Sequence, residues 1–275
     1  MAVPDHHVKS VAKAVRVVEV LDREGRLGVT EIARETGIAK SSVYKHLDTL
    51  RYLGYVTKSE SGYALSYQWF ATGRRVRERD RVYRAARPEL KRLARRTGET
   101  VSLVVAEDGD AVYLAQFDER GSAASRTDDP TGPVPEGERI PALASVGGKA
   151  IYSYRPFEEA ATLVAETDGD ADTGAIEAEL RSLRDQRLVI EQGGPTGGFS
   201  AGALEGHRHV TGRNEPYRDL HSAAVPVRTP DGYGVAAIEV TGPAAGLSGR
   251  RLEEDVATLL VAAGKSVETD LVRGQ

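Results

Sequence analysis

The sequence predicts an α+β protein in two parts: a small N-terminal unit of three helices and a hairpin, then, behind a connecting helix, a larger unit built on an antiparallel sheet. Three observations predict it. The 275 residues suit one small and one ordinary domain better than a single core. Apolar residues recur at three and four through residues 8–53, and alternation appears only further on. Charge is lopsided too: residues 1–97 carry 21 Lys+Arg against 11 Asp+Glu, giving +10, while the remaining 178 carry 16 against 30, giving −14.

The elements follow in order. Val8, Val11, Ala12, Val15, Val18 and Leu21 mark an amphipathic helix over 8–24 that ends before Gly25. Thr30 is placed to cap a short second helix over 31–36, and Gly37 supplies the turn that stops it. A third helix runs from Lys40, with Val43, Leu47, Leu50 and Leu53 as its buried stripe. Gly54 ends it, and residues 55–59 and 62–65 read as two short strands around Glu60-Ser61-Gly62. Three helices and a hairpin make a winged helix-turn-helix over residues 1–66.

Residues 67–87 read as a linker helix with seven arginines and few apolar positions. Those arginines either face phosphates or form a solvated connector that pairs with acidic residues of a second subunit; their spread around the helix favours the connector. Pro88 is placed to open a new helix over 89–97, closed by Gly98, and the larger domain is expected to span 88–275. Within it, residues 100–106 and 111–118 alternate as strands around Asp108-Gly109-Asp110. Helical patterns occupy 145–154, 157–167 and 173–186; strands are expected at 222–228 and 233–241, and a last helix over 248–271. Residues 128–137 and 192–212 read as loops, the second holding seven glycines.

Composition narrows the function. Hydrophobic residues at 40% and charged residues at 28% belong to a globular chain. No apolar run spans a bilayer and the start MAVPDHHVKS lacks a signal-peptide pattern, so a cytoplasmic protein with no membrane partner is expected. The absence of cysteine excludes disulfides, thiolate catalysis and Cys-containing zinc sites.

A basic front end favours the phosphates of double-stranded DNA by counterion release. The exposed face of the third helix offers Lys40, Ser41, Ser42, Tyr44, Lys45 and Thr49 to a major groove. Lys45 is the candidate for guanine; Ser41, Ser42 and Thr49 suit phosphates. Lys58 and Tyr63 in the wing are placed to touch the adjacent minor groove or backbone.

Three segments carry a family resemblance: Val8-Lys9-Ser10-Val11, Leu27 to Gly37, and Ile38-Ala39-Lys40-Ser41-Ser42-Val43-Tyr44-Lys45-His46-Leu47. They resemble the DNA-binding domain of the IclR (isocitrate lyase regulator) family. Pro141 to Ala150, Ala223-Ala224-Val225-Pro226-Val227 and Val240-Thr241-Gly242-Pro243 are similar to that family's effector domain. The resemblance implies a sequence-specific transcriptional regulator: a GAF-like effector domain, a homodimer or dimer of dimers, and a small-molecule effector that modulates operator affinity. It also implies effector contacts at Ser145, Val146, Gly147, Ser222, Glu239 and Thr241. Leu143 stands where the family commonly has His. Residues 239 and 241 share a strand face, so Glu239 would repel a free acid and accept hydrogen bonds from a sugar, polyol or amine. Pairing of Glu239 with Arg126 or Arg228 would restore acid binding, and both readings stay open.

Two further patterns are weaker. Gly198-Phe199-Ser200-Ala201-Gly202 fits G-x-S-x-G, but its flanks are glycine-rich where a nucleophile elbow needs a strand and a helix. A hydrolase using Ser200 and a ligand-independent DNA binder are therefore the alternatives. His207, His209 and His221 lack the carboxylate spacing of a metal site. No catalytic residue, metal site or cofactor is assigned.

Overall fold

The structure, a computed structural model, describes residues 8–118, 133–167, 172–192 and 220–273. The chain divides into two compact units, Met1–Arg79 and Asp80–Gln275.

The first unit contains α1 (Lys9–Glu24), α2 (Val29–Thr36), α3 (Lys40–Tyr52), β1 (Val56–Ser59), β2 (Gly62–Leu65) and α4 (Gln68–Arg79). Its core gathers Val17, Leu21, Ile32, Val43, Leu47, Val56 and Tyr63. The α1 pattern resolves into two apolar faces: Val17, Val20 and Leu21 are buried, whereas Val8, Val11 and Val15 are 61%, 59% and 49% exposed. Helix α2 starts two residues earlier than expected. The Gly28 N–H donates to Glu31 Oε2 at 2.8 Å, so Glu31 supplies the cap that Thr30 was expected to give. Leu53 is 57% exposed because α3 ends before it and the chain turns away at Gly54, φ 83°. Leu27 adds a two-bond bridge to Tyr63, at 3.0 and 2.8 Å. That bridge requires Gly62: φ is 123°, and a Cβ there would lie 2.6 Å from the Leu27 carbonyl oxygen.

The second unit runs α5 (Arg81–Thr97), β3 (Thr100–Glu107), β4 (Asp110–Phe117), β5 (Arg139–Pro141), α6 (Val146–Tyr152), α7 (Phe157–Thr167), α8 (Thr173–Gln186), β6 (Val189–Gln192), β7 (Leu220–Arg228), β8 (Gly234–Pro243) and α9 (Ala257–Arg273). A wider π-helical turn, Arg251–Val256, leads into α9. Six strands form one antiparallel sheet in the order β5-β4-β3-β8-β7-β6. Helices α5 and α9 cover one face over Val101, Leu103, Val225, Ile238 and Val240. Helices α6, α7 and α8 lie on the core of the other face, with Val104, Tyr113, Ala224 and Ala237. Asp108 and Gly109, both at positive φ (51° and 88°), make the tight β3–β4 turn.

Two expectations change here. The helical break falls at Asp80, not Pro88: Asp80 Oδ1 accepts the Tyr83 N–H at 2.7 Å and starts α5, which carries Pro88 inside it. Pro88 forgoes one backbone bond, but Tyr83, Ala86, Leu90, Leu93 and Ala94 are buried on both sides of it and keep the helix continuous. Strands β5 and β6 went unread because they hold only three and four residues and, unlike the equally short β1 and β2, are not joined to each other by a tight hairpin turn; they form the two edges of the sheet.

Candidate DNA-binding face and effector site

The turn into α3 is held by one buried hydroxyl. Thr36 Oγ1 donates to the Ile32 carbonyl at 2.7 Å and accepts the Ile38 N–H at 3.2 Å, while Gly37 takes the left-handed conformation, φ 67°. Burial of Val43 and Leu47 then fixes which face of α3 turns outward. Lys40, Ser41, Tyr44, Lys45 and Thr49 are all exposed there. Thr49 donates back to the Lys45 carbonyl at 2.9 Å, so its hydroxyl proton is engaged within the helix. Ser42 is half-buried, 3.4 Å from His46 Nε2. Asp48, a carboxylate on the same face, is paired with Arg51 at 3.1 Å. In the wing, Lys58 is exposed, 5.4 Å from the centroid of the Tyr63 ring. Tyr63 itself is 6% exposed and packs in the three-helix core, so its ring is not on the surface where a groove contact would need it.

In the second unit, strand register sets polar side chains in two neighbouring rows on the α6 face. Gln116, Ser102 and Glu239 are successive partners across β4, β3 and β8; Thr241, Ser222 and Glu191 are successive partners across β8, β7 and β6. All six are buried. Strands β4 and β6 end, and β7 begins, at this end of the sheet.

Glu239 is the centre of the network. Its Oε2 accepts the Gly147 N–H at 2.9 Å, its Oε1 accepts the Thr241 hydroxyl at 3.0 Å, and Tyr113 Oη donates to it at 3.3 Å. Because Thr241 spends its proton on Glu239, the Ser222 hydroxyl donates to Thr241, at 2.9 Å. Burial dominates the carboxyl's titration and pushes it up to about 7, against the opposing pull of Thr241, Gly147 and Tyr113. Neither arginine considered from the sequence is shown on it: Arg228 engages Glu268 through Nε at 2.7 Å and Nη2 at 3.2 Å, and Arg126 lies outside the described residues. Among the described residues no lysine or arginine forms an ion pair with Glu239.

Helix α6 reaches the carboxyl because it has no side chains in the way. A Cβ on Gly147 would lie 2.8 Å from Val104 Cγ2 and 3.0 Å from Glu239 Oε2, and one on Gly148 would lie 1.9 Å from the Ala142 carbonyl oxygen. Ser145 caps the helix, its Oγ accepting the Gly148 N–H at 3.1 Å and lying 3.4 Å from Tyr113 Oη. Val146 is buried in the core of that face. One turn on, Lys149 is buried with Nζ 2.6 Å from Glu191 and 2.9 Å from Glu179. Desolvation lowers its pKa, but the two carboxylates outweigh it and the net shift is upward.

So the structure gathers Ser145, Gly147, Ser222, Glu239 and Thr241 into one cluster. Sequence reading missed Ser102, Tyr113, Gln116, Lys149 and Glu191. The alternation of β3 and β4 was visible, but which face met β8 depends on long-range register. His221 places Nδ1 2.7 Å from the Leu247 carbonyl oxygen, and among the described residues no group of three metal-ligating side chains occurs. Ser200, His207 and His209 lie outside the described residues.

Comparison with known proteins decides what the two units belong to. The IclR helix-turn-helix domain matches residues 10–60, and the bacterial transcriptional regulator IclR C-terminal domain matches residues 75–193. The chain belongs to the IclR family. It is a DNA-binding transcriptional regulator with an effector-binding C-terminal domain. The HTH-type transcriptional regulator KdgR of Escherichia coli is 26% identical over 94% of this chain and 91% of its own length. The crystal structure of the Thermotoga maritima IclR covers 96% of this chain and 99% of that one, at 19% identity and a TM-score of 0.71. An IclR homologue from Microbacterium hydrocarbonoxydans, solved in complex with 4-hydroxybenzoate, matches at 18% identity over 97% and 100%, TM-score 0.69. In this IclR regulator the C-terminal family match stops at 193, so Ser222, Glu239 and Thr241 sit on strands beyond it. Among the described residues no helix is long and apolar enough to cross a membrane.

Proposed function

We propose that this IclR regulator reads its operator with Lys40, Ser41, Tyr44 and Lys45 of α3, aided by Lys58, and that its effector is a neutral polyhydroxylated molecule, a sugar or polyol, bound at the Glu239 network. One observation carries the ligand class: a buried carboxyl surrounded by hydroxyls and an amide, with no cation on it among the described residues. Free acids need a positive partner in such surroundings, whereas sugar hydroxyls both donate to a carboxyl and accept from Ser, Thr, Tyr and Gln. A ligand hydroxyl would replace the Ser222–Thr241 or Tyr113–Glu239 bond at little net cost.

Two exposed apolar stripes favour a homodimer. Helix α4 buries none of its residues, although it carries Trp69, Phe70 and Val76, 39%, 68% and 64% exposed; α1 adds Val11 and Val15, and Val8 just before it. A helix with an uncovered apolar stripe is built to be covered by a partner. Sedimentation of Val11→Asp and Phe70→Asp checks this: both variants should fold and run as monomers, and dimers of wild-type strength would remove the proposed interface.

Titration calorimetry with a panel of sugars and polyols, set beside small aliphatic acids, tests the ligand class. Saturable sugar binding that Thr241→Val weakens supports the reading. Acid binding that is lost in Thr241→Val and kept in Arg184→Gln would falsify it.

A further inference from the structure

We infer that the cleft at the C-terminal end of α6 is a second ligand site, built for an organic anion that carries a flat aromatic ring. The cleft holds about 470 Å³, within the ~300–1,000 Å³ of small-molecule sites. Tyr152, Tyr154 and Phe157 come to it from the end of α6 and the start of α7, Tyr233 from the end of the β7–β8 turn, and Arg181 and Arg184 from α8. None of these residues belongs to the Glu239 network.

The walls are fixed in place. The Arg155 guanidinium lies 4.8 Å from the centroid of the Tyr152 ring and 4.9 Å from that of Tyr233, with Nε bonded to the Gly234 carbonyl at 2.9 Å. Tyr154 Oη donates to the Arg184 carbonyl at 3.0 Å and ties α8 to the end of α6. The Tyr154 ring carries the Arg228 guanidinium at 4.8 Å and that of Arg184 at 5.8 Å, so a flat ligand ring would stack on Phe157 or on the side of Tyr233 away from Arg155, with little loss of side-chain freedom.

The charge is also uncommitted in one place. The carboxylates around the cleft already have partners: Glu177 holds Arg181 at 2.6 Å, Glu159 accepts Tyr233 Oη at 2.9 Å and lies 3.5 Å from Arg155, and a hydrogen bond from Thr229 holds Asp231 below its ordinary value. Arg184 donates Nε to the Ser153 carbonyl and Nη2 to the Arg155 carbonyl at 3.0 Å, and among the described residues it meets no carboxylate. A guanidinium oriented by two carbonyls, with further N–H groups to give, suits a bidentate acceptor such as a carboxylate. The exposed Arg181–Glu177 pair is weak enough to yield to a ligand.

The two sites share α6, whose first turn holds Glu239 through Gly147 and whose last residue, Tyr152, lines the cleft. An anion in the cleft therefore bears on the helix that shapes the effector site, and any effect on sugar affinity must be matched by an equal effect of the sugar on the anion.

Calorimetric titration of the full chain with benzoate tests the site. Expected is saturable binding of one benzoate per chain, kept in Thr241→Val and weakened at least about tenfold in Arg181→Glu and Arg184→Gln. Arg181 is the decisive variant, because its exposed side chain is not part of the fold's carbonyl ties. Cyclohexanecarboxylate, equal in charge but not flat, should bind more weakly. No saturable binding below about 10 mM, undiminished binding in Arg181→Glu, or loss in Thr241→Val overturns the site; equal affinity for cyclohexanecarboxylate overturns the aromatic class.

Discussion

The Gly147 amide donates to Glu239 Oε2 at 2.9 Å and so joins the first turn of α6 to the middle of β8. Glu239 is buried and its pKa is raised from 4.5 to about 7. An acid with a higher pKa folded than unfolded takes up a proton on folding between the two values. Stability therefore falls as pH rises from 4.5 to 7, and the loss is complete above 7. Glu239→Gln should remove this dependence. Urea denaturation of both proteins at about pH 5 and pH 8 should show the wild type's pH difference exceeding the variant's by up to about 3 kcal/mol. Equal differences would mean that Glu239 stays ionised in the fold.

The exposed face of α3 makes a separable claim about each lysine. Lys45→Ala should cost about 1–3 kcal/mol on a selected operator and relax its base preference, since this side chain is assigned to a base edge. Lys58→Ala should weaken all sequences alike and lower the salt slope by about 1. Fluorescence anisotropy across a salt series distinguishes the two, and identical behaviour of the variants would refute the division of roles.

Most of the helices could be read from the chain, because α1, α3, α7 and α8 announce themselves by local spacing; the cap of α8 came only with the structure, where Asp172 Oδ1 accepts the Gly174 and Ala175 amides. The hairpin turn at Asp108-Gly109 was likewise local chemistry. What stayed hidden depends on contacts distant in sequence. Whether Val11 or Val17 faces the core, and whether Tyr63 points to solvent, is decided by α2, α3 and Leu27 rather than by period. At the candidate effector site, Ser222, Glu239 and Thr241 were found by resemblance, yet Ser102 and Gln116 became neighbours only when β3 paired with both β4 and β8.

Two glycines in helices should respond in opposite directions to alanine. A Cβ on Gly148 meets the Ala142 carbonyl oxygen at 1.9 Å, backbone against backbone, so Gly148→Ala should lose more than about 3 kcal/mol or fail to fold. Gly73 lies within α4 with open space for 4 Å around the place a Cβ would take, and Gly73→Ala should gain about 0.5–1 kcal/mol. Thermal melts of the pair report both signs; a well-folded Gly148→Ala would show that α6 can stand off the 142–145 turn.

Lys149 anchors α6 from its far side, with Glu191 at 2.6 Å and Glu179 at 2.9 Å. Lys149→Met removes the ammonium that lies against the buried Glu191 carboxylate and should cost about 3–5 kcal/mol at pH 8. Burial without that ammonium disfavours the charged form of Glu191, so the penalty should shrink as pH falls and the carboxyl takes up a proton. Replacing both partners, Lys149→Met with Glu191→Leu, should recover most of the loss, because an apolar pair needs no desolvation of charge. Denaturation of the single and double variants at two pH values measures each step. If the single variant is destabilised equally at pH 5 and pH 8, the lysine supports α6 by packing its stem and not by neutralising Glu191.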